Sequence, residues 1–273
     1  MKTERIYIDR PSFGKILSLK MKDIMELTKF RLSFLVVFSA VMAYLVANPL
    51  TVEWLKIALL SLGGFLVTAS SNTINQLIEK DTDKLMDRTK NRPLPSGRMK
   101  PIEAYLIAGC TGVTGIFILG VVFNPISGLL GALALISYAF IYTPFKKISP
   151  SAVFIGAIPG SMPLLIGWTA ATGNIGLGGV VLFLVQFFWQ IPHFWSIAWL
   201  SYDDYLKANI KNGLINTQEL SRKQKQLVSN MSVDSIIDKH LASYLYNGEL
   251  ESTVTSYLRD VYCLNIELSM SQK

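Results

Sequence analysis

Six long apolar stretches, separated by short charged or turn-forming segments, leave this chain few folds to choose from. They run approximately over Leu32–Ala47, Trp54–Thr73, Tyr105–Phe123, Pro125–Tyr142, Ala152–Ala170 and Leu177–Leu200. A helix crosses the hydrocarbon core of a bilayer in about 20 residues. Within lipid, each backbone polar group must find its partner inside the segment, which admits helices and closed barrels only. Stretches of this length point to helices, so the expected fold is all-α: a polytopic transmembrane helical bundle of about six spans. The first stretch is short but extends back towards Leu27. The third and fourth are separated only by Asn124-Pro125, which marks a tight helical hairpin.

Loop charges orient the bundle. Lys and Arg crowd residues 1–31, the loop after the second stretch, Lys146 and Lys147 after the fourth, and Lys207 and Lys211 after the sixth. The intervening loops near Pro49–Glu53, Asn124 and Thr172–Asn174 carry none. This alternation follows the positive-inside rule and predicts a cytoplasmic N-terminus in the inner (cytoplasmic) membrane, with the acidic clusters on the same side. The net charge of +7 therefore reads as a topology signal and as phosphate or anionic-lipid contacts rather than as a nucleic-acid surface. Half of the residues are apolar, which excludes a disordered chain. Cys110 and Cys263 build no CxxC, haem-attachment or disulfide framework. Residues 1–30 lack a signal-peptide core, so the first span is expected to act as an uncleaved insertion signal.

Gly, Ala and Ser recur inside the spans, as close helix packing requires. After Gly213 the composition changes: no span-length apolar run follows, and a weak helical stripe runs from about Ser221 to Tyr246. The organisation read from sequence is an N-terminal cytoplasmic segment (1–30), a transmembrane domain (31–213) and a polar, soluble helical C-terminal tail (214–273).

The chemistry concentrates in Asn75–Gly97, NQLIEKDTDKLMDRTKNRPLPSG. Asn75, Glu79 and Asp83 recur at i, i+4 and i+8, drifting about 40° per step on a helix, and Asn72 shares their arc. Carboxylates at the mouth of a span are unfavourable unless a cation neutralises them. Arg88, Lys90, Arg92 and Arg98 follow in one loop. Acids to hold a hard metal, with guanidinium forks close behind, point to a Mg²⁺–diphosphate site. A solvated, salt-bridged helix end with Lys80 and Lys84 as partners is the plainer alternative. Tyr142 and Lys146, in YTPFK, end the fourth span; they read as an aromatic anchor with a snorkelling lysine or as a further diphosphate contact. WQIPHFW, Trp189–Trp195, places His193 inside a span, where a charged imidazole is costly; a neutral, paired His193 is expected. It reads either as a packed interior histidine or as a contact to a polar substrate group, a proton shuttle or a haem ligand. Asp203 and Asp204 beyond it would supply an opposing carboxylate for a second metal ion.

Together these residues resemble the UbiA superfamily of intramembrane prenyltransferases, over roughly Lys22 to Ile210. Asn75-xxx-Glu79-xxx-Asp83 is similar to the superfamily's first acidic motif. RTKNRPLPSG (Arg88–Gly97), YTPFK, IGAIPGSMPLLIGW (Ile155–Trp168) and WQIPHFW resemble the haem-specific branch, and DDYLKANI (Asp203–Ile210) resembles the second acidic loop. The resemblance implies a helical bundle around a central cavity, with Mg²⁺ held by Asn75, Glu79, Asp83 and Asp204. Arg88, Lys90, Arg92 and Lys146 would take up diphosphate charge, and Asn72, Tyr142, His193 and Asp203 would contact substrate. The implied reaction moves a farnesyl group from farnesyl diphosphate to a vinyl group of haem B. The implied partners are the lipid bilayer and a haem A synthase or oxidase-assembly protein, with no nucleic acid. Another aromatic acceptor, such as a quinone precursor, and a membrane scaffold without turnover are the alternatives. Family members carry about nine spans; here the pattern stops after six and continues as KNGLINTQELSRKQ.

Overall fold

The computed structural model of the chain describes residues 12–50, 52–149 and 151–200, together with 204, 207 and 208. The chain divides into Met1–Ile215 and Asn216–Lys273; the second unit, and with it the tail read over 214–273, lies outside the described residues, as does Asp203. Every element of the first unit among the described residues is helical.

Among the described residues six helices are long and apolar enough to cross a membrane: α2 (Phe30–Ala47), α3 (Trp54–Asp83), α4 (Pro101–Phe123), α5 (Pro125–Phe145), α6 (Ala152–Thr172) and α7 (Leu177–Leu200). The chain is thus a multi-pass membrane protein. A seventh helix, α1 (Phe13–Leu27), precedes them and was read from sequence only as part of a charged segment. α6 is central to one half, packing on α2, α5 and α7, while α3 packs on α2, α4 and α5. Outward positions such as Phe34, Leu35, Val113 and Val121 are apolar and exposed from the bundle, as a lipid-facing surface requires.

Small residues set the helix spacing. A β-carbon at Gly115 of α4 would lie 2.8 Å from the backbone nitrogen of Val67 in α3. One at Gly167 of α6 would lie 1.9 Å from the carbonyl oxygen of Ala40 in α2. The two helix pairs are in backbone contact at these points, which only glycine permits.

Local signals explain the helix ends. Asn124 caps α5: its Oδ1 accepts from the Ser127 amide at 2.9 Å, with Pro125 in the first turn where a missing N–H is harmless. Its Nδ2 also donates to the Thr169 carbonyl of α6 at 2.8 Å, tying the hairpin to the central helix. Asn124→Ala is expected to lower stability by about 1–2 kcal/mol, read as a fall in unfolding temperature in detergent; no change would mean that water replaces both bonds. α6 ends at Gly173, whose φ of 76° is the left-handed conformation that glycine adopts without strain. α5 carries a π-helical segment, Ser137–Tyr142, that leads into the charged end of the bundle.

The most consequential element is α3. At 30 residues and 1.5 Å per residue it is ~45 Å long, against ~30 Å of hydrocarbon. Its last turns therefore stand clear of the apolar layer, and they carry the acidic face.

Candidate active site

α3 presents Asn72, Asn75, Glu79 and Asp83 to one cavity of about 450 Å³ that runs down the bundle to Leu60, Leu119 and Ile166. The i, i+4, i+8 spacing has become one continuous face. All four are buried, Asp83 completely. Asn75 Nδ2 donates to Glu79 Oε2 at 3.0 Å and to Thr143 Oγ1 at 3.1 Å, which fixes its amide and joins α3 to the end of α5. Glu79 Oε1 pairs with Lys146 at 2.6 Å, and Asp83 Oδ2 pairs with Arg92 at 2.7 Å. Asp83 Oδ1 is buried and has no hydrogen-bond partner among the described residues.

The segment after α3 is a chain of tight turns rather than an open loop. Met86, Thr89, Leu94 and Met99 are buried beneath it. Thr89 Oγ1 donates to the Asp83 carbonyl at 2.9 Å, closing the end of α3. Arg98 holds the far side, donating to Asp23 and Glu26 of α1 at 2.9 and 2.8 Å and to the Asn91 carbonyl at 2.8 Å. This folding brings Arg88 and Arg92 to the cavity and turns Lys90 away.

Of the residues predicted from sequence, Asn72, Asn75, Glu79, Asp83, Arg88, Arg92, Tyr142, Lys146 and His193 line the cavity. Asn72 also has structural contacts, donating to the Thr28 carbonyl at 3.4 Å and to Ser33 Oγ at 3.2 Å. Lys90 is not part of the lining: it pairs with Asp87 at 2.7 Å on the surface. Asp204 lies at the same end of the bundle, but its carboxylate accepts from the backbone amides of Asp87 and Arg88 at 3.0 and 3.3 Å and does not reach the cavity. In this structure it holds the turn that carries Arg88 instead of opposing Asp83. Asp87 itself is held down to about 2 by Lys207 and Lys90. His193 is exposed and, among the described residues, takes part in ring contacts rather than the expected hydrogen bond.

Lys29 is the residue that the sequence reading missed. It occupies the α1–α2 corner with φ 49°, an uncommon conformation for a non-glycine residue. The corner is stapled by Gln76 of α3, whose Nε2 donates to the Leu27 carbonyl at 2.7 Å. The turn delivers the Lys29 ammonium into the cavity, 3.4 Å from Asn75 Oδ1. Burial pulls its pKa down to about 7, reinforced by Arg92 and Lys146 and opposed by Glu79 and Asp83. The available signal was the sequence Thr28-Lys29-Phe30-Arg31, but a lysine ahead of a span ordinarily reads as a topology determinant.

The charged groups of the lining are Lys29, Arg88, Arg92 and Lys146 against Glu79 and Asp83. Four basic side chains, of which Lys29 is held as a cation less firmly than an ordinary lysine, face two carboxylates at the head of an apolar cavity, an excess that favours a polyanionic headgroup on an apolar body. Among the described residues no three His, Cys, Asp or Glu side chains converge on one point, so these residues alone build no closed metal centre. Mg²⁺ needs none: it is commonly held by one or two carboxylates plus substrate phosphates and water. The unpartnered Asp83 Oδ1, with the Asn75 and Glu79 oxygens on the same face, fits such a shared ion.

Comparison with known proteins gives the family and the fold. The UbiA prenyltransferase family matches residues 36–224. A protoheme IX farnesyltransferase of Christiangramia forsetii is 46% identical over 188 residues, covering 69% of this chain and 62% of that protein. A second, of Flavobacterium johnsoniae, is 42% identical over 230 residues, covering 84% and 76%. The chain thus spans less than two thirds of the first relative's length. Among solved structures, a digeranylgeranylglyceryl phosphate synthase superposes with a TM-score of 0.61 at 19% identity, covering 92% of this chain and 88% of its own. A UbiA homolog from Archaeoglobus fulgidus, bound to DMAPP and Mg²⁺, gives 0.58 at 19% identity and the same coverage.

Proposed function

The chain belongs to the UbiA prenyltransferase family, and from that premise we propose that it transfers the farnesyl group of farnesyl diphosphate to a vinyl group of haem B, giving haem O. The observation that carries the donor half of this reading is the charge excess above an apolar cavity. The acceptor half is supported by the relatives named protoheme IX farnesyltransferase.

Lys29, Arg88, Arg92 and Lys146 bind the diphosphate. Arg92 and Lys146 now neutralise Asp83 and Glu79; an incoming diphosphate draws these cations onto its own oxygens and releases the carboxylates. Asn75, Glu79 and Asp83 would hold Mg²⁺, which when bound would withdraw charge from the departing diphosphate. The apolar walls enclose the farnesyl chain and keep bulk water from the allylic carbon as its C–O bond breaks. A vinyl carbon of haem B forms the new C–C bond, and water supplies the hydroxyl of the product, so that farnesyl diphosphate, haem B and water give haem O and diphosphate. The loop-charge bias supports a site on the cytoplasmic side of the inner membrane.

Incubating the reconstituted protein with farnesyl diphosphate, haem B and Mg²⁺ is expected to yield haem O, detected by mass. Prenylated 4-hydroxybenzoate in place of haem O would move the chain to a quinone-type acceptor. EDTA is expected to abolish turnover, with full recovery on adding Mg²⁺; activity that persists in EDTA would remove the metal from the reading.

A further inference from the structure

The cavity is lined by two different surfaces. On the α2, α3 and α4 side the deeper lining is mainly aliphatic, with Leu32, Val36, Val37, Leu60, Val67 and Leu119, while Thr68, Ser71 and Asn72 of α3 lead up from it to the charged end. On the side of α7 and the end of α5 a row of rings runs between the helices. Tyr138 meets Tyr142 at 5.5 Å between centroids, Tyr142 meets Phe194 at 5.6 Å, Phe194 meets His193 at 6.3 Å, and His193 stacks on Trp189 at 4.8 Å and 18°. Tyr138, Tyr142, His193 and Phe194 from this row line the cavity.

The row is seated on α6 by a glycine. A β-carbon at Gly156 would lie 2.6 Å from Tyr142 and 3.2 Å from Phe194, so the rings rest directly on the α6 backbone. One turn on, a β-carbon at Gly160 would lie 2.8 Å from the Gln190 amide, which donates to the Gly160 carbonyl at a long 3.4 Å. The ring surface adjoins the charged end: Thr143, next to Tyr142, receives the Asn75 amide.

We infer that the cavity is divided by lining: the aliphatic lobe between α2 and α3 takes the isoprenoid chain, and the ring surface on α5–α7 is a separate subsite that takes the flat, conjugated acceptor. This rests on the proposed prenyl transfer and adds where each substrate lies. A planar π-system gains from offset and edge contacts with several rings, whereas a flexible isoprenoid gains chiefly from apolar area. Gly156 keeps the wall thin enough for a face to lie against it. The position of Thr143 brings that face to the head of the α3 acidic row, where the allylic carbon is exposed on loss of diphosphate.

Binding in nanodiscs tests the division without relying on turnover. Haem B is followed by its absorption shift and farnesyl thiodiphosphate by calorimetry in the presence of Mg²⁺. Phe194→Ala is expected to weaken haem B about tenfold and to leave farnesyl thiodiphosphate within about twofold, with Phe194→Tyr restoring haem affinity. Val36→Phe is expected to do the opposite, weakening the farnesyl analogue while geranyl thiodiphosphate and haem B bind as before. Should Phe194→Ala fail to fold, Gly156→Ala, which pushes Tyr142 and Phe194 into the subsite, serves in its place with the same expectation. Unchanged haem affinity in these variants, equal loss of both ligands, or no haem binding by the unaltered protein overturns the division. Selective binding in the expected pattern without haem O formation would instead discard the proposed reaction and keep the two lobes.

Discussion

Asp83→Asn is expected to lower farnesyl transfer by at least about a hundredfold while the protein still inserts and folds. Removing a group that only orients a metal ligand typically reduces metal affinity or activity 10–100-fold, and Asp83 is proposed as a ligand itself. The substitution keeps shape and a partner for Arg92 but removes the carboxylate whose buried Oδ1 has no hydrogen-bond partner among the described residues. Its electrostatics supply a control. The cavity carries Lys29, Arg88, Arg92 and Lys146 against Glu79 and Asp83, so losing a carboxylate makes it more positive. Farnesyl diphosphate measured without Mg²⁺ is then expected to bind at least as tightly as before, while the Mg²⁺-dependent gain disappears. Weaker binding in the absence of metal would show that Asp83 holds Arg92 in place and does not hold an ion.

Gly167→Ala is expected to have the largest effect on assembly. Its new β-carbon would sit 1.9 Å from the Ala40 carbonyl oxygen and 2.8 Å from the carbonyl carbon, both backbone atoms of α2. Neither can rotate away, so α2 and α6 must separate, at more than the ~1–3 kcal/mol typical of one extra methylene in a packed core. Little monodisperse protein is expected by size-exclusion chromatography after membrane extraction. Gly160→Ala on the same helix is the contrast: the obstructing atom is the tip of the Gln190 side chain, which can swing aside, and near-normal recovery is expected. Equal recovery of the two variants would mean that the α2–α6 contact is looser than the structure shows.

The spans were legible because lipid imposes length and hydropathy directly on sequence. The acidic face of α3 was legible for a similar reason: a helix converts spacing into direction with little help from its surroundings. What lay beyond reach depended on chain reversal. Lys90 sits between two arginines of the loop, yet successive turns send Arg88 and Arg92 to the cavity and Lys90 to Asp87. Lys29 enters the site because the backbone at 29 is left-handed and Gln76 pins the Leu27 carbonyl; both are tertiary outcomes. Asp204 reads from sequence as an opposing carboxylate, whereas in the structure its partners are backbone amides of the other loop, which charge patterning does not predict. The α1 helix left a trace in the alternation of Ile16, Leu19, Ile24 and Leu27 with lysines, which loop-charge counting passed over.

The length of α3 has one more consequence. A single unbroken rod joins Leu60 at the cavity floor to Asp83 at its rim, so the interval between them acts as a ruler whose graduations are helical turns. Inserting or deleting one residue between these points would rotate the carboxylates by about 100° away from the lining. Two whole turns, about seven residues, would restore their direction but shift their depth by roughly 10 Å. Gene variants that change the number of codons in this interval should therefore be purged far more strictly than those that exchange one apolar side chain for another.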